Sequence, residues 1–284
     1  MDMTDFEAET SIENIEFKLA RWQEWRLRRE RELADPHGWL SLVSFQWLTS
    51  EPVSVSGFPG DFWEAEDGAH ARFSPDDAVT QSGQPVTEVR IGTAEDGSDF
   101  SLRAGDVIAE VGMRGGRYMV RVRDPRSETL ANFSGVPVFP YRASNVVVGK
   151  FRAYNEPREV EISTAREGLS GRARLVGEVS FEYDGAAVTL AVQGDADEQL
   201  TVLFHDETNG QETDAWRFVS FPGPGANHRE SAGQFVAARA GDVQIDFNRA
   251  LNFPMAFSDF ATCPAPPAGN SIPARVEAGE KKAR

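Results

Sequence analysis

The sequence predicts a mainly β protein: an antiparallel β-barrel or sandwich, preceded by one amphipathic helix and followed by an irregular C-terminal strap. Three observations predict it. Apolar residues recur at helical spacing in the first part of the chain. From Trp39 onward the period drops to about two, with turn residues every ten or so positions. After Asn248 the chain becomes Pro- and aromatic-rich. No stretch reads as a linker, so one domain over 1–284 is expected, with a helix at about 11–33, a β-rich body at about 39–248 and a strap at about 249–281.

The helix rests on a stripe of Ile12, Ile15, Leu19 and Trp22. Thr10 stands three residues before Glu13, the spacing of a capping box, and predicts the helix start. Arg26, Arg28, Arg29 and Arg31 crowd the C-terminal half, where cations suit the helix dipole. Glu24, Glu30 and Glu32 interleave them, which reads as a solvated face. Pro36 and Gly38 end the helix.

Strands are expected at 39–48, 52–55, 89–91, 100–102, 107–111 and 117–123, with 59–86 resisting assignment. Further strands are expected at 146–154, 160–163, 174–183, 187–192, 200–205, 216–221 and 243–247. Along 117–123, Arg117, Arg121 and Arg123 share one face and Tyr118, Val120 and Val122 the other. Gly115-Gly116 is the turn feeding that strand, and Asp184-Gly185 is a strong hairpin turn.

Charge and composition narrow the function. The 284 residues carry 45 Asp and Glu against 29 Lys and Arg, a net charge of −16, and only four of the basic residues are lysines. Such a surplus repels nucleic-acid phosphates and anionic membranes, so neither is expected as a partner. The N-terminus is acidic rather than signal-like, and no apolar run approaches a membrane span. A cytoplasmic location is the expectation. Cys263 is alone, which excludes an internal disulfide and a thiolate cluster. No dinucleotide or phosphate loop and no Gly-x-Ser-x-Gly elbow is present. The four histidines, His37, His70, His205 and His228, are too scattered to suggest a zinc site.

Three polar clusters remain. Arg117, Arg121 and Arg123, closed by Asp124, are either arginines paired with acidic neighbours at the surface or the wall of an anion site. In the segment from His205 to Asp214, Asp206, Thr208 and Gly210 resemble the front of a calcium loop, but the terminal Glu is unmatched. The alternative there is a polar turn with Gly210 at positive φ. His205, beside carboxylates, is either a general base or an inert strand end. Asp246, Asn248 and Arg249 close a strand and either orient a ligand or tie down the irregular segment that follows.

These clusters lie in order along a longer pattern. Gly38-Trp39-Leu40-Ser41-Leu42-Val43, Trp47-Leu48, Arg121-Val122-Arg123-Asp124, Phe133-Ser134-Gly135 and Phe139-Pro140 begin it. Phe204-His205-Asp206-Glu207-Thr208-Asn209-Gly210 and Arg217-Phe218 continue it. Asp246-Phe247-Asn248-Arg249-Ala250, Asn252, Pro254, Ala256-Phe257, Ala261-Thr262-Cys263-Pro264, Pro266-Pro267, Asn270 and Ala278-Gly279-Glu280-Lys281 complete it. The pattern resembles the domain-of-unknown-function family numbered 1684, from about Trp22 to Lys281. The resemblance implies that 246–281 is an ordered strap and that Asp206, Asp246, Asn248, Arg249 and Glu280 share one site. It implies no activity, substrate or cofactor. Two positions depart from it: Met255 stands where the family often has a second cysteine, and Thr213-Asp214 where it often has Thr-Tyr.

The expected site therefore takes Asp206, Asp246, Glu280 and His205 as acid/base candidates and Arg121, Arg123, Arg217, Asn248 and Arg249 as ligand contacts. The leading expectation is a polar pocket for a small anionic molecule, with carboxylate acid/base or metal-assisted hydrolysis as its chemistry. The alternatives are a binding module whose interior is lined by Trp39, Phe45, Trp47 and Trp216, and a structural network without pocket chemistry. No cofactor or metal is identified, and the oligomeric state is open.

Overall fold

Helix α1 (Met3–Leu33) precedes a first set of strands: β1 (Leu42–Trp47), β2 (Val53–Ser54), β3 (Asp61–Ala65), β4 (Gly68–Arg72), β5 (Val79–Gln81), β6 (Gln84–Pro85), β7 (Glu88–Ile91), β8 (Ser98–Ala104), β9 (Val107–Arg114) and β10 (Arg117–Arg123). A single-turn helix α2 (Glu128–Ala131) leads to β11 (Val146–Ser163), β12 (Ser170–Tyr183), β13 (Ala186–Gly194), β14 (Gln199–Phe204), β15 (Arg217–Pro222), β16 (Asp242–Asp246) and β17 (Leu251–Asn252). The computed structural model describes residues 3–226 and 241–283, with side chains from Glu16 onward. His228 lies outside the described residues, as do the side chains of Ile12 and Ile15.

The strands form three antiparallel sheets. Six strands run in the order β1-β10-β9-β8-β5-β6 and four in the order β2-β3-β4-β7. These two sheets close over one core, which includes Leu48, Phe62, Phe73, Leu102, Val111 and Val120. Phe58, Phe62 and Phe73 pack edge to face within it. The third sheet has seven strands in the order β16-β11-β12-β13-β14-β15-β17. Its core includes Val179, Leu190, Phe204, Val219, Ile245 and Phe247, and the strap adds Ile272, Val276 and Ala278. The sheet has two free ends, so no barrel closes; of the two expected architectures the sandwich-like one is present.

Local chemistry explains the turns. Gly115 and Gly116 both take positive φ, as do Asp184 and Gly185, the condition for two-residue turns that match strand twist. The first turn brings Arg114 opposite Arg117, and the pairing runs on to Glu110 opposite Arg121.

Three details differ from expectation. The helix spans Met3–Leu33, so Thr10 and Glu13 lie within it rather than at its start. The expected strands at 146–154 and 160–163 are one strand, β11, whose register slips between Ala153 and Arg158 around Pro157. The unassigned stretch 59–86 holds β3 to β6, short strands whose pattern is broken by turns.

Helix α1 turns Trp22, Trp25, Arg26, Arg29, Glu30 and Leu33 toward the body, the i, i+3, i+4 rows of one face. Leu33 enters a small core with Leu40, Val136, Ala256 and Phe257. The strap 249–281 is largely buried, although its backbone is irregular. No helix among the described residues is long and apolar enough to cross a membrane.

Candidate functional site

The arginine face of β10 lies between the first pair of sheets and the strap. Arg121 and Arg123 are buried and share one carboxylate, Glu110 on β9. Arg121 Nη1 donates to Glu110 Oε1 at 3.1 Å, and Arg123 Nη2 to Glu110 Oε2 at 2.6 Å. Arg121 also reaches the Phe260 carbonyl and Thr262 Oγ1 in the strap, at 2.9 and 2.8 Å. Arg123 reaches the carbonyls of His37 and Gly38, both at 2.8 Å. Trp39 covers both guanidiniums. Burial pushes the Glu110 carboxyl up, but the charges of Arg121 and Arg123 outweigh it and hold the group below its usual range. Trp39, Phe45 and Trp47 all stack against arginines here instead of lining a barrel interior.

Asp206 and Arg217 form a second buried pair, with Nη2 to Oδ2 at 2.8 Å and neither side chain exposed. Arg217 also donates to the strap carbonyls of Val276, Ala278 and Glu280. Asp206 Oδ1 accepts from the Thr208 N–H at 2.8 Å and from the Thr208 hydroxyl. Gly210 takes φ +74° and closes the turn. With both Asp206 oxygens engaged, the loop folds as a polar turn, without a cation cage. Neighbouring His205 points to the opposite, exposed side, where Nδ1 lies 3.0 Å from the Ala215 carbonyl.

At the end of β16, Asp246 Oδ1 accepts from the Asn248 N–H at 3.0 Å and from Asn248 Nδ2 at 2.8 Å. Arg249 Nε lies 3.4 Å from Asp246 Oδ2, and its guanidinium stands over the Trp25 ring. Asn248 also holds Arg142 at both backbone groups, and its own carbonyl accepts from Trp22 Nε1 at 2.8 Å. Burial raises the Asp246 carboxyl above its usual range, against the hydrogen bonds from Asn248 and the charge of Arg249.

Glu280 completes the set. It is buried between α1 and the strap, with Oε1 3.2 Å from Arg29 Nε and Oε2 accepting from the Asn252 N–H at 2.7 Å. Arg29 Nη2 also donates to the Asn252 carbonyl at 3.2 Å. Burial pushes the Glu280 carboxyl up, and the nearby Arg29 charge only partly opposes it. Along this seam runs a cleft lined by Trp25, Arg26, Arg29, Glu30, Val136, Val138, Asn248 and Glu280. The cleft is shallow and open: its walls leave about 10 Å³, the room of roughly one water molecule, and the rest is continuous with solvent.

Through direct contacts, Asp206, Arg217 and Glu280 form one chain of polar residues, and Asn248 and Glu280 meet at the cleft. Asp246 and Arg249 join through Asn248 and Trp25. Arg121 and Arg123 belong to the separate Glu110 cluster, and His205 to neither. Sequence reasoning missed Glu110, although folding about Gly115-Gly116 sets it opposite Arg121. It also missed Arg29, which stands one helical turn before Leu33 and seven residues after Trp22, on the buried face. Among the described residues no three His, Cys, Asp or Glu side chains come together in a way that could hold a metal ion.

Three comparisons bear on identity. A comparison with curated proteins finds no match. Among solved structures, the chain is similar to the solution NMR structure of the uncharacterized protein from gene locus rrnAC0354 of Haloarcula marismortui. The identity is 26% over 53% of this chain and 78% of that one, with a TM-score of 0.40. Residues 131–281 match the family described as "Protein of unknown function (DUF1684)". The matched segment begins after the first two sheets and takes in the third sheet and the strap. It spans more than half of the chain, and the chain belongs to this family.

Proposed function

We propose that this protein binds a small, carboxylate-bearing molecule in the cleft between α1 and the C-terminal strap. One observation carries the reading: the cleft is where partly exposed arginines meet polar residues of the family segment. The Arg26 and Arg29 side chains keep 30% and 19% of their surface exposed, whereas Arg121, Arg123 and Arg217 keep 1%, 6% and 0%. Arg26 and Arg29 are each paired with one carboxylate, Glu30 and Glu280, but unlike the buried arginines they keep guanidinium surface open to solvent, where an incoming anion can reach them. Trp25 and Val136 supply apolar walls, and Asn248, whose amide is held by Arg142 and Asp246, lines the floor. The walls leave the room of about one water molecule, so the ligand would be small and would lie in the open mouth of the cleft, against the exposed guanidinium surfaces.

The test is an amide and indole NMR titration with acetate. Saturable shifts at the Trp25 indole N–H, Asn248 and Glu280, abolished by Arg29→Gln, are the expected result. Saturable shifts confined to other parts of the molecule, or none, would overturn it. A second reading, acid/base catalysis, is favoured by burial raising two carboxyls, Glu280 and Asp246, on either side of Asn248. Its mark would be a hydrolytic activity lost in both Glu280→Gln and Asp246→Asn while the variants stay folded.

A further inference from the structure

The cleft presents charges of both signs in a fixed arrangement. Trp25 and Arg29 form one row along α1, and Arg26 and Glu30 form the next, each pair four residues apart. Arg26 Nη2 donates to Glu30 Oε1 at 2.9 Å, and Arg29 Nε to Glu280 Oε1 at 3.2 Å. Two ion pairs thus border one small space, and the cations Arg26 and Arg29 alternate with the anions Glu30 and Glu280.

This pattern bears on the chemistry of the ligand. A plain anion entering the cleft gains Arg26 and Arg29 but meets the like charges of Glu30 and Glu280. A plain cation meets the reverse. A molecule carrying one charge of each sign can place its carboxylate against the guanidiniums and its ammonium against a carboxylate. Its ammonium then offsets Glu30, the acid paired with Arg26, while Glu280 keeps its bond to Arg29 Nε, so the ligand meets fewer like charges than either singly charged molecule. Val136 and Val138 leave an apolar wall for the carbon between the two charged groups. Glu30 is the more accessible acid, with 25% of its side chain exposed against 4% for Glu280, so it is the group placed to take the ammonium.

We infer that the ligand of this cleft is a small zwitterion of the amino-acid or betaine type, with its carboxylate on Arg26 and Arg29 and its cationic nitrogen on Glu30. The inference rests on the binding reading above and narrows it to a class. Isothermal titration of the full chain with glycine, acetate and methylammonium at matched ionic strength tests it. Glycine should bind at least tenfold more tightly than either singly charged probe, and Glu30→Gln should raise the glycine Kd to that of acetate. Glu30 is partly exposed, and a glutamine there keeps the side chain's length; circular dichroism confirms that the variant is folded. Acetate binding as tightly as glycine would overturn the zwitterion and leave the anion reading standing. A glycine preference that survives Glu30→Gln would overturn the assignment of the ammonium. Binding of none of the three would overturn both readings.

Discussion

Arg29 and Glu280 stand 251 positions apart in sequence, yet Arg29 Nε donates to Glu280 Oε1 at 3.2 Å and ties helix α1 to the C-terminal strap. The pair does not act alone. Asn252 offers its N–H to Glu280 and its carbonyl to Arg29, and its side-chain amide donates to the Lys281 carbonyl at 2.8 Å. Helix, strap and β17 therefore meet in one polar knot, and the cleft is its open side.

Removing the cation from that knot leaves a buried carboxylate without its charge partner. Breaking a fully buried ion pair costs about 3–5 kcal/mol. Because Arg29 is partly exposed, Arg29→Ala should cost less, about 2 kcal/mol, in urea unfolding. Glu280→Gln should cost less again, since the amide oxygen can still accept from Asn252.

The Glu110 cluster should be more sensitive. Glu110→Gln removes the one carboxylate shared by two buried guanidiniums, and the loss should reach about 3–5 kcal/mol. A loss under about 1 kcal/mol in the same urea experiment, the range of exposed pairs, would show the three charges to be solvated.

The two glutamates should titrate on opposite sides of their common ordinary value of 4.5. Glu110 binds its proton more weakly in the folded state, so its contribution to stability is present above 4.5 and is lost as pH falls through its folded pKa. Glu280 binds its proton more strongly when folded. Its contribution is complete below 4.5 and is lost as pH rises through its folded pKa. Side-chain carboxyl ¹³C NMR should place the Glu110 midpoint below 4.5 and the Glu280 midpoint above it. The stability gap between wild type and Glu110→Gln should narrow as pH falls.

Gly279→Ala should release the strap. Gly279 has φ +74°, and a Cβ there would overlap the Ala250 carbonyl oxygen and Cβ. The neighbouring Glu280 N–H donates to that same carbonyl at 2.9 Å, so the strain falls on the knot itself. We expect a loss of about 2 kcal/mol or more, with proteolysis appearing first in the C-terminal segment.

Legibility in the sequence followed the range of the interactions. The alternation of 117–123 and the turns at Gly115-Gly116 and Asp184-Gly185 are local, and the structure keeps them. The resemblance found the strap, because residues such as Asp246, Asn248 and Gly279 are demanded by its backbone geometry. Lost to reading were pairings across long separations, such as Arg29 with Glu280. The arginine run on α1 mixes one buried-face residue with solvated ones, and composition cannot separate them. Only helical spacing from Trp22 and Leu33 marks Arg29. Arg121 and Arg123 share a face, as read, but the strap and Trp39 cover that face, which makes it interior.

The most direct measurement is a high-resolution crystal structure of the protein, never exposed to chelators and grown with glycine at saturating concentration. The account predicts density for one small molecule between Arg26, Arg29, Glu30 and Trp25, its carboxylate toward the arginines. A cleft holding only water while glycine binds elsewhere, or binds nowhere, would contradict it.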